Sequence, residues 1–88
     1  IVIYKMNNYK IPLIAGAIAI LLNILLSYTL YPFASNEEIK PTNGPENLSF
    51  KSQIMHMLVH HKQVILTSSF IVGLLVTLSS LIALKYFN

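Results

Sequence analysis

Two apolar stretches decide the fold, IPLIAGAIAILLNILLSYTLY at residues 11–31 and VILTSSFIVGLLVTLSSLIAL at residues 64–84. Neither stretch contains a charged side chain. A helix rises about 1.5 Å per residue, so each stretch would reach roughly 31 Å, which is about the thickness of the hydrocarbon core of a bilayer. The pattern therefore predicts two membrane-spanning helices.

The composition of the chain supports this interpretation. Hydrophobic residues make up 55% of the 88 residues and charged residues only 10%, whereas soluble domains carry about 25% charged residues. So short a chain has too little other sequence to cover two helices that are apolar around their circumference. We therefore predict an all-α membrane protein, a two-helix transmembrane hairpin with an amphipathic helical extension preceding the second span.

The remaining sequence divides around the two spans. Pro12 suits the first turn of a helix, and Pro32 is expected to end that helix. Turn residues fill positions 34–46, and Asn47 or Ser49 can cap a following helix. The predicted segments are a tail at residues 1–10, a span at 11–31, an extramembrane loop at 32–46, an amphipathic interfacial helix at 47–63 and a second span at 64–87.

The amphipathic segment and the second span can be connected in two ways. Beyond residue 46 there is no proline and Gly73 is the only glycine, so one continuous helix to Phe87 is allowed. Alternatively the helix bends near residues 60–63, and its first part lies on the membrane surface. A helical projection places the following side chains on one face of this segment: Phe50, Ile54, Met57, Leu58 and His61.

The lysines bear on the direction of insertion. Three lie in the tails and three in the connecting segment, and the shorter tails are denser in lysine, which favours both termini on the cytoplasmic, matrix or stromal side. The chain is rich in Ile, Asn and Lys, whose codons are AT-rich, which favours an organelle or bacterial inner membrane over the secretory pathway. A secretory signal at residues 1–35 competes, but its apolar run is too long and no clean cleavage site follows it.

Small and polar residues at helical spacing predict where the spans pack. The predicted helix-packing residues are Ala15, Ala19, Asn23, Ser27, Ser69, Gly73, Thr77 and Ser80. Aligning the ends of the two apolar runs places Asn23 near Gly73 or Thr77, and Ser27 near Ser69. Packing against a neighbouring helix is the alternative. A proton or ion path along Asn23 is disfavoured because neither apolar stretch, residues 11–31 or 64–84, contains an ionisable Asp, Glu, Lys, Arg or His.

A basic cluster precedes the second span. His56, His60, His61 and Lys62 are predicted to contact lipid headgroups or a partner protein. His56 and His60 share the four-residue spacing of a bidentate metal ligand, but a zinc site commonly needs three or four ligands. The metalloprotease motif requires Glu after the first His, and Met57 stands there instead. We therefore predict no metal at this cluster.

The sequence predicts a protein without catalytic or cofactor-binding residues. It contains no cysteine, no glycine-rich phosphate loop and no nucleophile–base set, and its lysines form no basic stripe that suits nucleic acid. The expected partners are other membrane-protein subunits and membrane lipids, including anionic ones. We predict an accessory or structural subunit of a larger membrane complex, such as a respiratory or photosynthetic assembly. The alternatives are a viral or phage membrane protein, either a virion component or a holin-like pore former, and a membrane-anchored regulator.

Overall fold

The computed structural model describes residues 9–87, and every regular element in that range is helical. The predicted all-α chain is thus confirmed for these residues. The predicted tail lies outside them except for Tyr9 and Lys10. The elements are α1 (Lys10–Leu30), a 3₁₀ turn (Tyr31–Phe33), α2 (Asn36–Ile39), a second 3₁₀ turn (Pro45–Asn47), α3 (Phe50–Gln63) and α4 (Ile65–Tyr86).

Two of these helices are long and apolar enough to cross a membrane. With its 3₁₀ turn the first covers 24 residues, Lys10–Phe33, at a mean hydropathy of 2.2. The second is α4, which has 22 residues at a mean hydropathy of 2.1. Both exceed the roughly 20 residues that a bilayer requires.

Proline chemistry sets the ends of α1 as the sequence predicts. Pro12 is buried in the first turn, where the missing backbone N–H has no helical acceptor to lose. Pro32 lies in the 3₁₀ turn that follows Leu30, and Ala34 after it is extended. The α-helix therefore ends just before the proline ring that it could not accommodate.

The connecting segment, predicted as a loop, is held by local hydrogen bonds. The Ser35 hydroxyl accepts from the Glu38 N–H, and the Glu38 carboxylate accepts from the Ser35 N–H, which is a capping box for α2. Gly44 has φ +91°, a conformation that side chains disfavour. Ser49 caps α3 by accepting from the Ser52 N–H, so Ser49 rather than Asn47 is the capping residue.

The amphipathic segment and the second span are separate helices. Val64 interrupts them with φ −125° and ψ 55°, one residue beyond the predicted bend. The Ser68 hydroxyl donates to the His61 carbonyl across this break, at 3.0 Å. A continuous helix would satisfy that carbonyl through the N–H four residues later, so Ser68 compensates for the interruption.

Helices α1 and α4 pack antiparallel where two glycines meet. A Cβ atom on Gly16 would lie 3.0 Å from the Gly73 carbonyl and would overlap the Thr77 hydroxyl. A Cβ atom on Gly73 would lie 2.7 Å from the Ile20 side chain. Small residues allow helix backbones to approach this closely.

The packed surface of this hairpin is polar or small, and its apolar side chains face outwards. Among residues 9–87, Val59 of α3 is the only buried Val, Leu, Ile, Met or Phe. The buried residues of α1 and α4 are Pro12, Gly16, Asn23, Ser27, Ser68, Ser69 and Gly73. This distribution is the reverse of a soluble core.

Helix α3 packs through a face different from the one that its hydrophobic pattern suggests. Ser52, His56 and Val59, spaced three and four residues apart, lie half-buried or buried. Of the predicted apolar face, Leu58 and His61 are half-buried as well, whereas Phe50, Ile54 and Met57 are 80%, 45% and 58% exposed. The amphipathic pattern is present, but the chain itself does not cover its apolar side.

Candidate functional site

Asn23 is the centre of a buried polar cluster that joins three helices. Its side-chain Nδ2 donates to the hydroxyls of Ser68 at 3.0 Å and Ser69 at 3.1 Å, both on α4. Its Oδ1 lies 2.6 Å from Nδ1 of His61 on α3. Asn23, Ser68 and Ser69 are each at most 7% exposed. One carboxamide on α1 therefore fixes the positions of both α3 and α4.

The donors and acceptors of this cluster determine the protonation of one histidine nitrogen. A carboxamide oxygen can only accept, so Nδ1 of His61 must carry the proton that it donates to Asn23. The Ser68 hydroxyl gives its own proton to the His61 carbonyl and accepts from Asn23. Both hydrogens of the Asn23 amide are thus used.

Ser27 lies one turn beyond Asn23 on the same face of α1. It has no exposed surface, and its hydroxyl makes no hydrogen bond within residues 9–87. A buried hydroxyl without a partner is unfavourable. Ser27 therefore contributes size and fit to the hairpin, whereas Asn23 contributes hydrogen bonds.

The structure distributes the four predicted headgroup-contact residues over different environments. His61 faces Asn23, and His56 Nδ1 lies 2.6 Å from the Glu38 carbonyl oxygen. The Lys62 ammonium lies 4.3 Å from the ring centre of Tyr31 and 5.8 Å from that of Tyr28. His60 is exposed, and its ring meets that of His56 edge-on. Contact with headgroups stays a prediction for these residues.

Acidification should loosen the contact between α2 and α3. The hydrogen bond from the Ser35 N–H, with a second from the Ser52 hydroxyl at 2.7 Å, holds the pKa of the Glu38 carboxyl below its ordinary value. A lowered pKa stabilises the folded loop at higher pH, and that contribution is lost as the pH falls through the lowered pKa, below the ordinary value of a glutamate. The Ser52 amide resonance, followed by NMR in nanodiscs, should shift there.

Glu38→Gln should abolish this acid transition, because the amide has no titrating proton. Glu46→Gln is the matched control, since the side chain of Glu46 makes no hydrogen bond to α3 in the described range, and it should leave the transition in place. A transition that survives Glu38→Gln would assign it to another group.

The eight predicted packing residues are not equally placed at the contact. Asn23, Ser27, Ser69 and Gly73 are buried, whereas Ala15, Ala19, Thr77 and Ser80 are half-buried. Asn23 meets Ser68 and Ser69 rather than Gly73 or Thr77. The register is set by the glycine contact and these hydrogen bonds, not by matching the ends of the apolar runs.

Sequence reasoning missed Gly16 and Ser68. A strict spacing of four selects Ala15 and Ala19, but a helix repeats every 3.6 residues, so the face drifts and passes through Gly16. Gly16 was visible as the only glycine in residues 11–31. Nothing in the sequence predicts that Ser68 joins Ser69 in this contact, because the position of Ser68 depends on the break at Val64.

The cluster offers hydrogen bonding rather than an evident reaction centre. Within residues 9–87, no three His, Asp or Glu side chains are placed to hold a metal ion. The comparison of this chain with protein-family models, with curated proteins and with solved structures finds no match.

Proposed function

We propose that this chain is a small non-catalytic subunit of a larger membrane protein complex, inserted in the bilayer by α1 and α4 as a helical hairpin. The outward apolar surface of both helices supports insertion, since Leu13, Leu66 and Leu75 are 63%, 86% and 59% exposed. Lipid supplies the cover that so short a chain lacks. The denser lysines of the tails favour placing both termini on the cytoplasmic, matrix or stromal side.

The single observation that carries the subunit proposal is the open apolar face of α3. Phe50, Ile54 and Met57 recur at positions i, i+4 and i+7 and are all exposed. Helix α3 is not one of the two spans, and the chain itself leaves this face without cover. A hydrophobic groove on a partner subunit binds a helix face whose apolar residues have this spacing.

The order of the connecting segment supports the same conclusion. The Glu37 carboxylate accepts from the Thr42 N–H at 3.2 Å and from the Thr42 hydroxyl at 3.0 Å. The Gln53 amide donates to the Leu48 carbonyl at 3.1 Å. A segment held by these hydrogen bonds presents α3 at a fixed angle. A preformed surface binds a partner at a lower cost in conformational entropy than a flexible surface does.

The test is recovery of the chain with its neighbours. The full chain carrying an affinity tag is purified in mild detergent from membranes of its source, and its companions are quantified by native mass spectrometry. We expect a fixed ratio to larger membrane proteins. Replacing Phe50 and Met57 with Ser should reduce that recovery at least tenfold, whereas Lys51→Ser, on another side of α3, should not.

Three outcomes would contradict the proposal. Recovery of the chain as a monomer without companions would show that it is not a subunit of a complex. Recovery at a low and variable ratio would indicate a regulator instead of a subunit. Homo-oligomers that permeabilise vesicles would indicate a pore former, the alternative function that the sequence allows.

A further inference from the structure

The far end of the hairpin, away from α3, contains a cleft between the start of α1 and the last turns of α4. Its volume is about 540 Å³. The lining residues are Tyr9, Leu78, Leu81, Ile82, Lys85 and Tyr86. The cleft therefore combines an aliphatic floor with a lysine and two tyrosines from the ends of the two long helices.

The charge at this end of the hairpin has one sign. All three acidic residues of the chain lie between residues 37 and 46, in the connecting segment at the opposite end. The Lys85 ammonium lies 5.4 Å from the ring centre of Tyr86, and both residues are exposed. None of the described residues that line the cleft is Asp or Glu, so the charge of Lys85 favours an anion there.

The geometry points to one anionic phospholipid as the occupant of this cleft, and we propose that it binds there. The phosphate would meet the Lys85 ammonium and the Tyr86 hydroxyl. One acyl chain would lie along Leu78, Leu81 and Ile82, which continue the wall of α4 into the span. A lysine between tyrosines at the end of a span lies at headgroup level, and the apolar floor lies at acyl level.

A phospholipid would contact both the lysine and the aliphatic floor of the cleft, whereas other occupants would contact only one of them. A free phosphate would use the lysine but not the aliphatic floor. A partner helix would use the floor but would bring no required negative charge to the mouth. This inference rests on the insertion into lipid that the proposed function assumes, but not on the partner complex.

The experiment is native mass spectrometry of the purified, delipidated full chain in detergent. Phosphatidylglycerol and phosphatidylcholine with identical acyl chains are added in equal amounts. We expect about fivefold preferential retention of phosphatidylglycerol, the effect of one lysine near a headgroup. Lys85→Gln should reduce the preference to near unity, and Lys40→Gln, in the connecting segment at the other end of the hairpin, should preserve it.

Two further arms separate the sources of the anion and the role of the floor. Millimolar inorganic phosphate should not displace bound phosphatidylglycerol, because it gains nothing from the aliphatic wall. Ile82→Trp, which fills the floor without changing charge, should lower the retention of both lipids.

The results that overturn the site differ from those that overturn the proposed function. Equal retention of the two lipids by the unaltered chain, or equal losses in Lys85→Gln and Lys40→Gln, would exclude a specific anionic site. Displacement by phosphate would identify a simple anion site. Retention of neither lipid would also exclude the site, whereas purification of the chain without companion subunits would contradict only the proposed function.

Discussion

Replacing Asn23 with Leu should leave insertion into the membrane intact and should destabilise the packed hairpin by about 2 kcal/mol or more. Leu is more apolar than Asn, so α1 should still insert into the membrane. The substitution removes the bonds to Ser68 and Ser69 and leaves Nδ1 of His61 without its acceptor. Helix α3 should therefore detach from α1 before α4 does.

The measurement is reversible unfolding of the hairpin in bicelles by steric trapping, combined with the exchange rates of the amides of α3. Ser27→Ala is the matched control, one turn away on the same buried face. That change removes a hydroxyl that has no hydrogen bond among the described residues, so stability should stay level or rise. Equal destabilisation by the two substitutions would show that size rather than hydrogen bonding matters at this face.

Gly16→Leu should separate α1 from α4 and cost about 1–3 kcal/mol by overpacking. Even the first carbon of the new side chain would overlap the Thr77 hydroxyl and would press on the Gly73 carbonyl. A backbone carbonyl in a helix does not move aside as the end of a long side chain does, so the helices must shift apart.

Spin labels at cysteines introduced for Leu21 and Ile71, both exposed on the hairpin, should report a longer distance in Gly16→Leu. The chain has no native cysteine to interfere. Ala17→Leu adds the same apolar bulk at the next position, which is exposed, and should leave the distance unchanged. An unchanged distance in Gly16→Leu would mean that the close approach at the glycines does not set the separation of the helices.

Much of the fold is predictable because it depends on local chemistry. Uninterrupted apolar runs give α1 and α4, Pro32 ends α1, and Ser49 caps α3. The break at Val64 is less predictable, since a single β-branched residue is common inside helices. It is stabilised by the Ser68 hydroxyl on the His61 carbonyl, a contact that exists only once the bend has formed.

The candidate site depends on register, which the sequence specifies poorly. Asn23 was recognisable as the polar side chain that must find a partner inside an apolar run. Its partners could not be inferred, because sliding one helix along the other by about one turn replaces Ser69 with Gly73, and by about two turns with Thr77. The shape at Gly16 and Gly73 selects among these registers, and shape complementarity is not visible in a hydropathy pattern.

Histidines illustrate a second limit of sequence reasoning. Four basic residues within seven positions, 56–62, suggest one common environment. In the structure His61 bonds to Asn23 within the hairpin and His56 bonds to the Glu38 carbonyl of α2, so their environments differ. Consecutive positions on a helix point in different directions, so the elements around α3 decide which side chain faces inwards.

The most direct test of the account is the accessibility of single cysteines in sealed membrane vesicles to an impermeant maleimide. Cysteine at Lys40, in the connecting segment, and at Phe87, after α4, should be labelled from opposite sides, and cysteine at Leu75 from neither. Labelling of Lys40→Cys and Phe87→Cys from the same side, or ready labelling of Leu75→Cys, would contradict the two-span hairpin on which both proposals depend.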